Sequence, residues 1–278
     1  MIDSVPNPIG VFDSGVGGLS VLRAMRDLLP TQEMIYLADQ AHVPYGTRSL
    51  EEVRQFSTGI TRFLISQGAK LIVVACNTAS VASLKSLREE FPVMPFVGME
   101  PAVKPAAEQT HSRVVGVLAT YATFQGAMYA SVVERFAQGV TILEDHCPGL
   151  VAEIEKGNLN GKETEQILRR ALEPMLDKGV DTVVMGCTHY PFVIPLIQKI
   201  TGPEVRVIDP APAIARQVLR LLESHNLFSL NQSEKSIRFL TSGDTIQFAK
   251  SLPYFSFEST SVEKVEWQDN TLSLKESK

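Results

Sequence analysis

The sequence predicts an α/β protein with mainly parallel sheets, built from two similar halves that face each other. Short runs rich in β-branched residues alternate with amphipathic helical stretches, the pattern of parallel strands covered by helices. The segments around Cys76 and Cys187 resemble each other, and residues 9–14 resemble residues 115–120 at nearly the same offset. This weak internal repeat predicts two pseudosymmetric α/β domains.

Clear boundary signals separate the helical and extended segments. Ser49 followed by Glu52 forms a capping-box pattern that starts a helix, and Pro30 ends the helix that begins near Leu19. The predicted strands are residues 9–12, 34–38, 71–75, 96–98, 114–118, 141–143, 182–185 and 205–208.

The chain is expected to cross twice between the two halves. One crossing is the stretch 99–105, which contains two prolines and no clear periodicity, and another lies near Pro210. The predicted domains are therefore residues 1–98 together with 211–278, and residues 99–210.

The tail beyond Ser224 is expected to return to the first domain. Its pattern predicts, in order, a helix-poor stretch, a strand at 237–241, a helix at 244–252 and a polar end.

Composition excludes several classes of partner. At 278 residues and 44% hydrophobic side chains, the chain can bury a sizeable core in one large or two modest domains. Its 26 basic and 31 acidic side chains lack the positive excess that phosphate backbones and anionic membranes attract. The N-terminus lacks a signal-peptide pattern, and no apolar run is long enough to span a membrane. The spacing of the three cysteines does not indicate a disulfide framework. We expect a cytoplasmic protein with no nucleic-acid and no membrane partner.

Reactive side chains follow the predicted strands, where open parallel sheets bind their ligands. The four relevant loops are residues 12–18, 44–46, 76–78 and 187–190. The first loop carries a partial dinucleotide-binding pattern, with Asp39 at the usual distance for a ribose contact. However, Ser20 replaces the third glycine, and the carboxylate of Asp13 would oppose a pyrophosphate. We therefore favour a small polar ligand held by Asp13 and Ser14, with a helix N-cap as the structural alternative for Asp13.

Cys76 and Cys187 each follow a buried strand at a predicted helix start, where helix N-termini favour a thiolate. A single cysteine in such a place is more often a small core residue. Two cysteines in equivalent loops of a repeat would instead lie on opposite sides of one cleft. That placement suits the removal of a proton from one face of a carbon and its return to the other face. Asn77, Thr78 and Thr188 lie beside them and can hold carboxylate and ammonium groups.

A metal site is the competing interpretation of Cys187 and His189, which lie two residues apart. No paired-cysteine or paired-histidine motif accompanies them, and Cys147 belongs to a different stretch. His189 is therefore interpreted as a group that assists proton transfer or orients the loop. His42 and His111 are interpreted as surface or hydrogen-bonded loop residues. We expect neither a metal nor a cofactor.

Four blocks together resemble the glutamate racemases of the aspartate/glutamate racemase superfamily: residues 12–19, 38–46, 75–79 and 186–191, within a similarity that spans about residues 8–222. The resemblance implies a site in the interdomain cleft, a homodimer and a role in supplying D-glutamate for peptidoglycan. It implies that Cys76 and Cys187 are the catalytic bases, Cys187 acting first on L-glutamate and Cys76 on D-glutamate, with Asp13 and His189 assisting. The positions that match substrate contacts are Asp13, Ser14, Tyr45, Gly46, Asn77, Thr78, Thr188 and His189.

The block that starts at Cys147 resembles a family segment leading to a glutamate, placed here at Glu155 rather than Glu153, although Ala152 replaces an expected proline. Glu155 and Thr120 are further candidates for assisting groups. The predicted reaction is a cofactor-independent, two-base racemisation of glutamate. An aspartate or hydantoin racemase and a non-catalytic amino-acid-binding protein are the alternatives.

Overall fold

The computed structural model describes residues 7–228, 237–258 and 261–275. Within these ranges the chain folds as a mixed α/β protein with two mainly parallel sheets. The strands are β1 (Ile9–Asp13), β2 (Met34–Ala38), β3 (Leu71–Val74), β4 (Phe96–Gly98), β5 (Val114–Ala119), β6 (Thr141–Asp145), β7 (Thr182–Gly186), β8 (Arg206–Ile208), β9 (Ile237–Thr241), β10 (Val262–Gln268) and β11 (Thr271–Leu274). The predicted α/β class and the eight predicted strand positions are confirmed, with ends that differ by one or two residues.

The helices cover the sheets and connect their parallel strands. They are α1 (Leu19–Leu28), α2 (Leu50–Ser66), α3 (Asn77–Glu90), α4 (Val103–Gln109), α5 (Tyr121–Phe124), α6 (Ala127–Phe136), α7 (Leu150–Glu155), α8 (Lys162–Leu176), α9 (Ile194–Thr201), α10 (Ala211–Ser224) and α11 (Thr245–Ser251). Short 3-10 turns occupy Tyr45–Thr47, Tyr190–Val193 and Leu252–Phe255. The capping box of α2 is present in both directions between Ser49 and Glu52. None of the helices in the described ranges is both long and apolar enough to span a bilayer.

The two sheets share one strand order. The first runs β11-β10-β9-β2-β1-β3-β4 and the second runs β6-β5-β7-β8. The order β2-β1-β3-β4 of the first therefore repeats as β6-β5-β7-β8 in the second, which explains the internal similarity of the sequence. The cysteine-bearing loops follow β3 and β7, which are equivalent strands beside β1 and β5.

The chain between the two sheets differs from the sequence prediction at one crossing. Residues 99–105 were expected to be irregular, but α4 begins at Val103. Pro105 falls in the first turn of this helix, where a missing N–H removes no helical hydrogen bond. After the second crossing, α10 packs against α1 of the first half. The proposed domain limits of residues 1–98 with 211–278, and 99–210, remain a proposal.

The tail returns to the first sheet, where β9 pairs with β2 in parallel and β10 pairs with β9. The strand at Ile237–Thr241 is confirmed, and the predicted helix corresponds to α11. The predicted polar end also contains two strands that were not predicted, because β10 and β11 form an antiparallel hairpin that places Val265 and Leu272 in the core. Two consecutive charged residues, Glu263 and Lys264, break the apolar and polar alternation and obscure the strand pattern. The predicted helix-poor stretch falls partly on residues 229–236, outside the described residues.

Candidate active site

A cavity of about 490 Å³ lies at the carboxyl ends of the equivalent strands of the two sheets. The two predicted catalytic cysteines, Cys76 and Cys187, both line it, one from each half. The other predicted site residues that line the cavity are Ser14, Tyr45, Gly46, Asn77, Thr78, Thr120, Thr188 and His189. Asp13 and Glu155 do not line it and instead contact residues that do.

Cys76 caps the N-terminus of α3, and its Sγ accepts a hydrogen bond from the backbone N–H of Ala79 at 3.4 Å. The side chain is buried at 5% exposure. Burial, together with the nearby carboxylate of Asp13, raises the pKa of Cys76 well above its ordinary value. The hydrogen bond from the helix start favours the thiolate, as expected, but desolvation and a neighbouring negative charge outweigh it.

Cys187 has a different local structure. Its loop continues into the 3-10 turn Tyr190–Val193, and the α-helix α9 begins only at Ile194. The expected helix start directly after this cysteine is thus only a short turn. The neighbour of the sulfur is instead an imidazole, since Sγ of Cys187 lies 3.8 Å from Nδ1 of His189.

His189 is paired on its other side with a glutamate. Its Nε2 lies 2.6 Å from Oε1 of Glu155, which also accepts the backbone N–H of Val16 at 2.8 Å. Burial alone would lower the pKa of His189, but its hydrogen bonds with Cys187 and Glu155 raise it well above 6.5. Burial tends to raise the pKa of Glu155, and the hydrogen bond and charge of His189 outweigh it, so the pKa is lowered. The result is a buried imidazolium and carboxylate pair behind Cys187.

This geometry distinguishes Glu155 from Glu153. The side chain of Glu153 accepts hydrogen bonds from Lys156 at 2.7 Å and Asn158 at 2.6 Å, away from His189. The replacement of proline by Ala152 does not displace Glu155 from the histidine.

The glycines of the first loop allow close contact with the second half of the molecule. A Cβ atom at Gly15 would overlap the carboxylate of Glu155, and a Cβ at Gly17 would overlap the ring of His189. Ser20, where the dinucleotide pattern lacks a glycine, donates its hydroxyl to the carbonyl of Thr188 at 2.9 Å. The glycines of this loop therefore allow close packing between loops, and Ser20 contributes a hydrogen bond to the same packing. This explains why only part of the nucleotide-binding pattern is present.

Asp13 connects the same two loops. Its Oδ1 accepts the backbone N–H of Gly15 at 2.8 Å, and its Oδ2 accepts the hydroxyl of Thr188 at 3.0 Å. The N-cap position of α1 is Gly18, so Asp13 is not a helix cap. Full burial raises its pKa, although the charge of His189 opposes the shift.

Asn77 offers unused hydrogen-bonding capacity to the cavity. Its side chain is 2% exposed, and neither Nδ2 nor Oδ1 has a hydrogen-bond partner in the described residues. Buried polar atoms are rarely left unpaired, so these atoms are available to a bound ligand. Nearby, the hydroxyls of Thr78 and Thr120 contact each other at 2.8 Å and bring the two halves together.

Several cavity residues escaped the sequence analysis. The sequence assigns Cys147 to a stretch separate from the site, but this residue lines the same cavity together with His146, Pro148 and Gly149. Burial and the neighbouring Asp145 raise the pKa of Cys147 well above its ordinary value. The block starting at Cys147 was noticed only as a route to Glu155, and nothing in its spacing shows that it folds over the cavity.

Comparison with known proteins identifies the family. A sequence model described as Asp/Glu/hydantoin racemase matches residues 9–218. The chain belongs to this racemase family. As a racemase family member it is classed with the isomerases.

Individual relatives indicate which members of the racemase family the chain is similar to. A glutamate racemase from Roseiflexus sp. (strain RS-1) is 49% identical over 250 residues, covering 90% of this chain and 92% of the relative. The crystal structure of a glutamate racemase isoform from Bacillus anthracis has a TM-score of 0.85 at 31% identity, covering 94% of this chain and 98% of that chain. The Escherichia coli glutamate racemase in complex with L-glutamate and the activator UDP-MurNAc-Ala has a TM-score of 0.81 at 34% identity, covering 94% and 99%. The resemblance inferred from the four sequence blocks is confirmed.

Proposed function

We propose that the protein interconverts L- and D-glutamate by direct proton transfer at Cα, with Cys76 and Cys187 as the two bases and no cofactor. The observation that carries the proposal is the placement of both thiols on one cavity, at equivalent strand ends of two similar halves. The relatives named glutamate racemase and the L-glutamate complex of the Escherichia coli protein support the choice of substrate.

The proposed step exchanges one proton for another. One cysteine thiolate removes the α-proton of glutamate and becomes a thiol, while the opposing thiol gives its proton to the other face of Cα and becomes a thiolate. The electron pair left at Cα is delocalised into the substrate carboxylate, where hydrogen-bond donors must stabilise the developing charge. The amide of Asn77 and the hydroxyls of Ser14 and Thr78 are the candidate donors.

The surroundings of the two sulfurs suggest their resting roles. Cys76 is held as a thiol by burial and by Asp13, which suits a proton donor. Next to Cys187, the imidazolium of His189 attracts the negative charge that forms when the thiol loses its proton. The resting enzyme is thus proposed to use Cys187 as the base and Cys76 as the acid, which matches the L-to-D direction implied by the family resemblance.

The test is turnover of each purified glutamate enantiomer in deuterated water. Two-base transfer places deuterium on Cα of the product early in the reaction, while the remaining substrate stays unlabelled. Full activity of Cys76→Ala, or a requirement for added pyridoxal phosphate, would contradict the proposal. A thermal shift with glutamate but no loss of its circular dichroism would indicate an amino-acid-binding protein.

Substrate choice within the family needs its own measurement. Aspartate and hydantoin racemases share the family, so a panel of L- and D-amino acids and a hydantoin is compared by circular dichroism. Glutamate is expected to give the highest kcat/KM. A higher value for aspartate or for the hydantoin would reassign the substrate and leave the two-base mechanism standing.

The wider setting is also proposed from the resemblance. The D-glutamate product is proposed to enter peptidoglycan synthesis in the cytoplasm of a walled bacterium, and the protein is proposed to act as a homodimer. Depletion in the host would then produce a requirement for D-glutamate. Sedimentation of the purified chain at its monomer mass would contradict the dimer.

A further inference from the structure

Asp39 is a buried carboxylate outside the cavity whose two oxygens are both fully engaged. Its Oδ2 accepts the phenol of Tyr45 at 2.6 Å and contacts Nδ1 of His42 at 2.8 Å. Its Oδ1 accepts the hydroxyl of Ser242 and the indole N–H of Trp267, both at 2.7 Å. Burial tends to raise the pKa of Asp39, but the hydrogen bonds from His42 and Tyr45 outweigh it, and the pKa is lowered. The side chain of Asp39 is therefore a buried anion whose negative charge is stabilised by these hydrogen-bond donors.

Two of these donors come from the tail of the chain. Ser242 follows β9 and Trp267 lies in β10, both beyond residue 218, where the family match ends. The indole of Trp267 packs against the rings of His42 and Phe56, with centroids 5.3 Å and 5.9 Å away. A Cβ at Gly59 of α2 would lie 2.7 Å from this indole, so the absence of a side chain there gives the ring its place.

The other end of the network reaches the cavity. Tyr45 begins the 3-10 turn Tyr45–Thr47, and Tyr45 and Gly46 both line the cavity. A Cβ at Gly46 would lie 2.7 Å from Cβ of Thr120, so this turn also touches the second half of the molecule. A small movement of the turn would therefore change the cavity wall at the junction of the two halves.

We propose that Asp39 and Trp267 are positioning residues for substrate binding: the C-terminal hairpin holds the Tyr45–Gly46 turn in place through the chain Trp267, Asp39, Tyr45. This inference rests on the proposed function, since it concerns the same cavity. Loss of the indole N–H leaves Oδ1 of Asp39 with one donor fewer. The carboxylate can then turn away from Tyr45, and the cavity wall loses its fixed position.

The decisive experiment compares Trp267→Phe with a matched variant on the same strand. Trp267→Phe retains a ring against Phe56 but removes the donor. It is expected to raise KM for L-glutamate about 5-fold and to change kcat by less than about 2-fold. A change of about 5-fold in KM corresponds to part of the free energy of one hydrogen bond to a charged group. Asp39→Asn, which replaces one acceptor oxygen by an amide, is expected to raise KM about 10-fold. Val265→Ala removes buried volume from β10 without touching the network, so it lowers the melting temperature and leaves KM unchanged.

Trp267 is the only tryptophan of the chain, which provides a readout independent of turnover. Addition of glutamate is expected to change its fluorescence in the wild-type protein, and Tyr45→Phe, which keeps the ring but loses the hydroxyl, is expected to abolish the change. An unchanged KM in Trp267→Phe, or a fluorescence response that persists in Tyr45→Phe, overturns the inference and leaves the racemase proposal intact. If glutamate changes the fluorescence of the wild-type protein but is not racemised by it, the proposed function is overturned and the inference is not.

Discussion

The loops of Cys76 and Cys187 occupy equivalent places in two sheets with the same strand order, but their electrostatic surroundings are opposite. Cys76 has a helix N-terminus and the carboxylate of Asp13 nearby, and its pKa is raised. Cys187 has no α-helix directly after it and lies beside the imidazolium of His189, which is paired with Glu155. The difference shows that a repeated backbone can place two similar thiols symmetrically, while side chains from other loops give each sulfur a neighbour of different charge.

The largest expected effect comes from removing either sulfur. Cys76→Ala and Cys187→Ala are each expected to lower kcat for glutamate by about 10³-fold or more, because each turnover needs both an acid and a base. Initial rates from circular dichroism, started from each enantiomer, measure the loss. A variant that retains wild-type rates would show that its sulfur takes no part, and the comparison between the two loops would lose its basis.

The charge pair behind Cys187 is expected to have the next largest effect. Glu155→Gln removes the carboxylate that holds His189 as a cation, and kcat/KM is expected to fall by about 10²-fold. The alkaline limb of the pH profile should also move to lower pH, because the pKa of His189 falls without its partner. Asp13 interacts with His189 through charge without a direct hydrogen bond, so Asp13→Asn is expected to move that limb in the same direction by a smaller amount.

The pair of His189 and Glu155 should also make the free energy of unfolding depend on pH. Because the pKa of His189 is raised above 6.5, its contribution to folding is complete below that pH and is lost as the pH rises through the raised value. Because the pKa of Glu155 is lowered below 4.5, its contribution is present above 4.5 and is lost as the pH falls through the lowered value. Glu155→Gln should therefore cost about 3 kcal/mol of unfolding free energy between these pH values, and less in alkaline buffer. Urea unfolding at several pH values checks this, and a constant difference would contradict it.

A smaller effect is expected from the loop that supports His189. Gly17→Ala places a methyl group against the imidazole ring and should displace it from Cys187, lowering kcat about 10-fold. Gly139→Ala is the matched control, since no atom lies near its Cβ position, although its positive φ of 73° adds a small stability cost. Similar activity losses in both variants would mean that backbone strain, rather than the histidine, is responsible.

The smallest effect is expected at the third thiol of the cavity. Cys147→Ala should change kcat and KM by no more than about 2-fold, because burial and Asp145 keep this thiol protonated and the proposed mechanism gives it no proton to move. Steady-state kinetics of this variant beside Cys187→Ala separates a lining residue from a base. A large loss of kcat would require a third participant in proton transfer.

The sequence was sufficient for the fold class, for most strand positions and for the family. Alternating apolar runs mark parallel strands, and the carboxyl ends of such strands meet at one edge, so the loops with Cys76 and Cys187 could be assigned to one site before any coordinates. The capping box of α2 was equally readable, because its signal is local. In contrast, β10 and β11 were missed, since consecutive charges interrupt a short alternation whose buried side is defined by contacts with α2 and α11, which are distant or non-adjacent elements.

What the sequence alone determined is the family and the strands whose ends carry the candidate site residues, since both depend on neighbours in the chain. Only the tertiary structure decided how those residues are charged and oriented. The pKa of Cys76 depends on its burial beside Asp13, the cation at His189 depends on Glu155, and Tyr45 is held through Asp39 by a tryptophan from the far end of the chain. Desolvation and hydrogen bonding act between groups that folding brings together, so their outcome is set by three-dimensional proximity rather than by spacing along the chain.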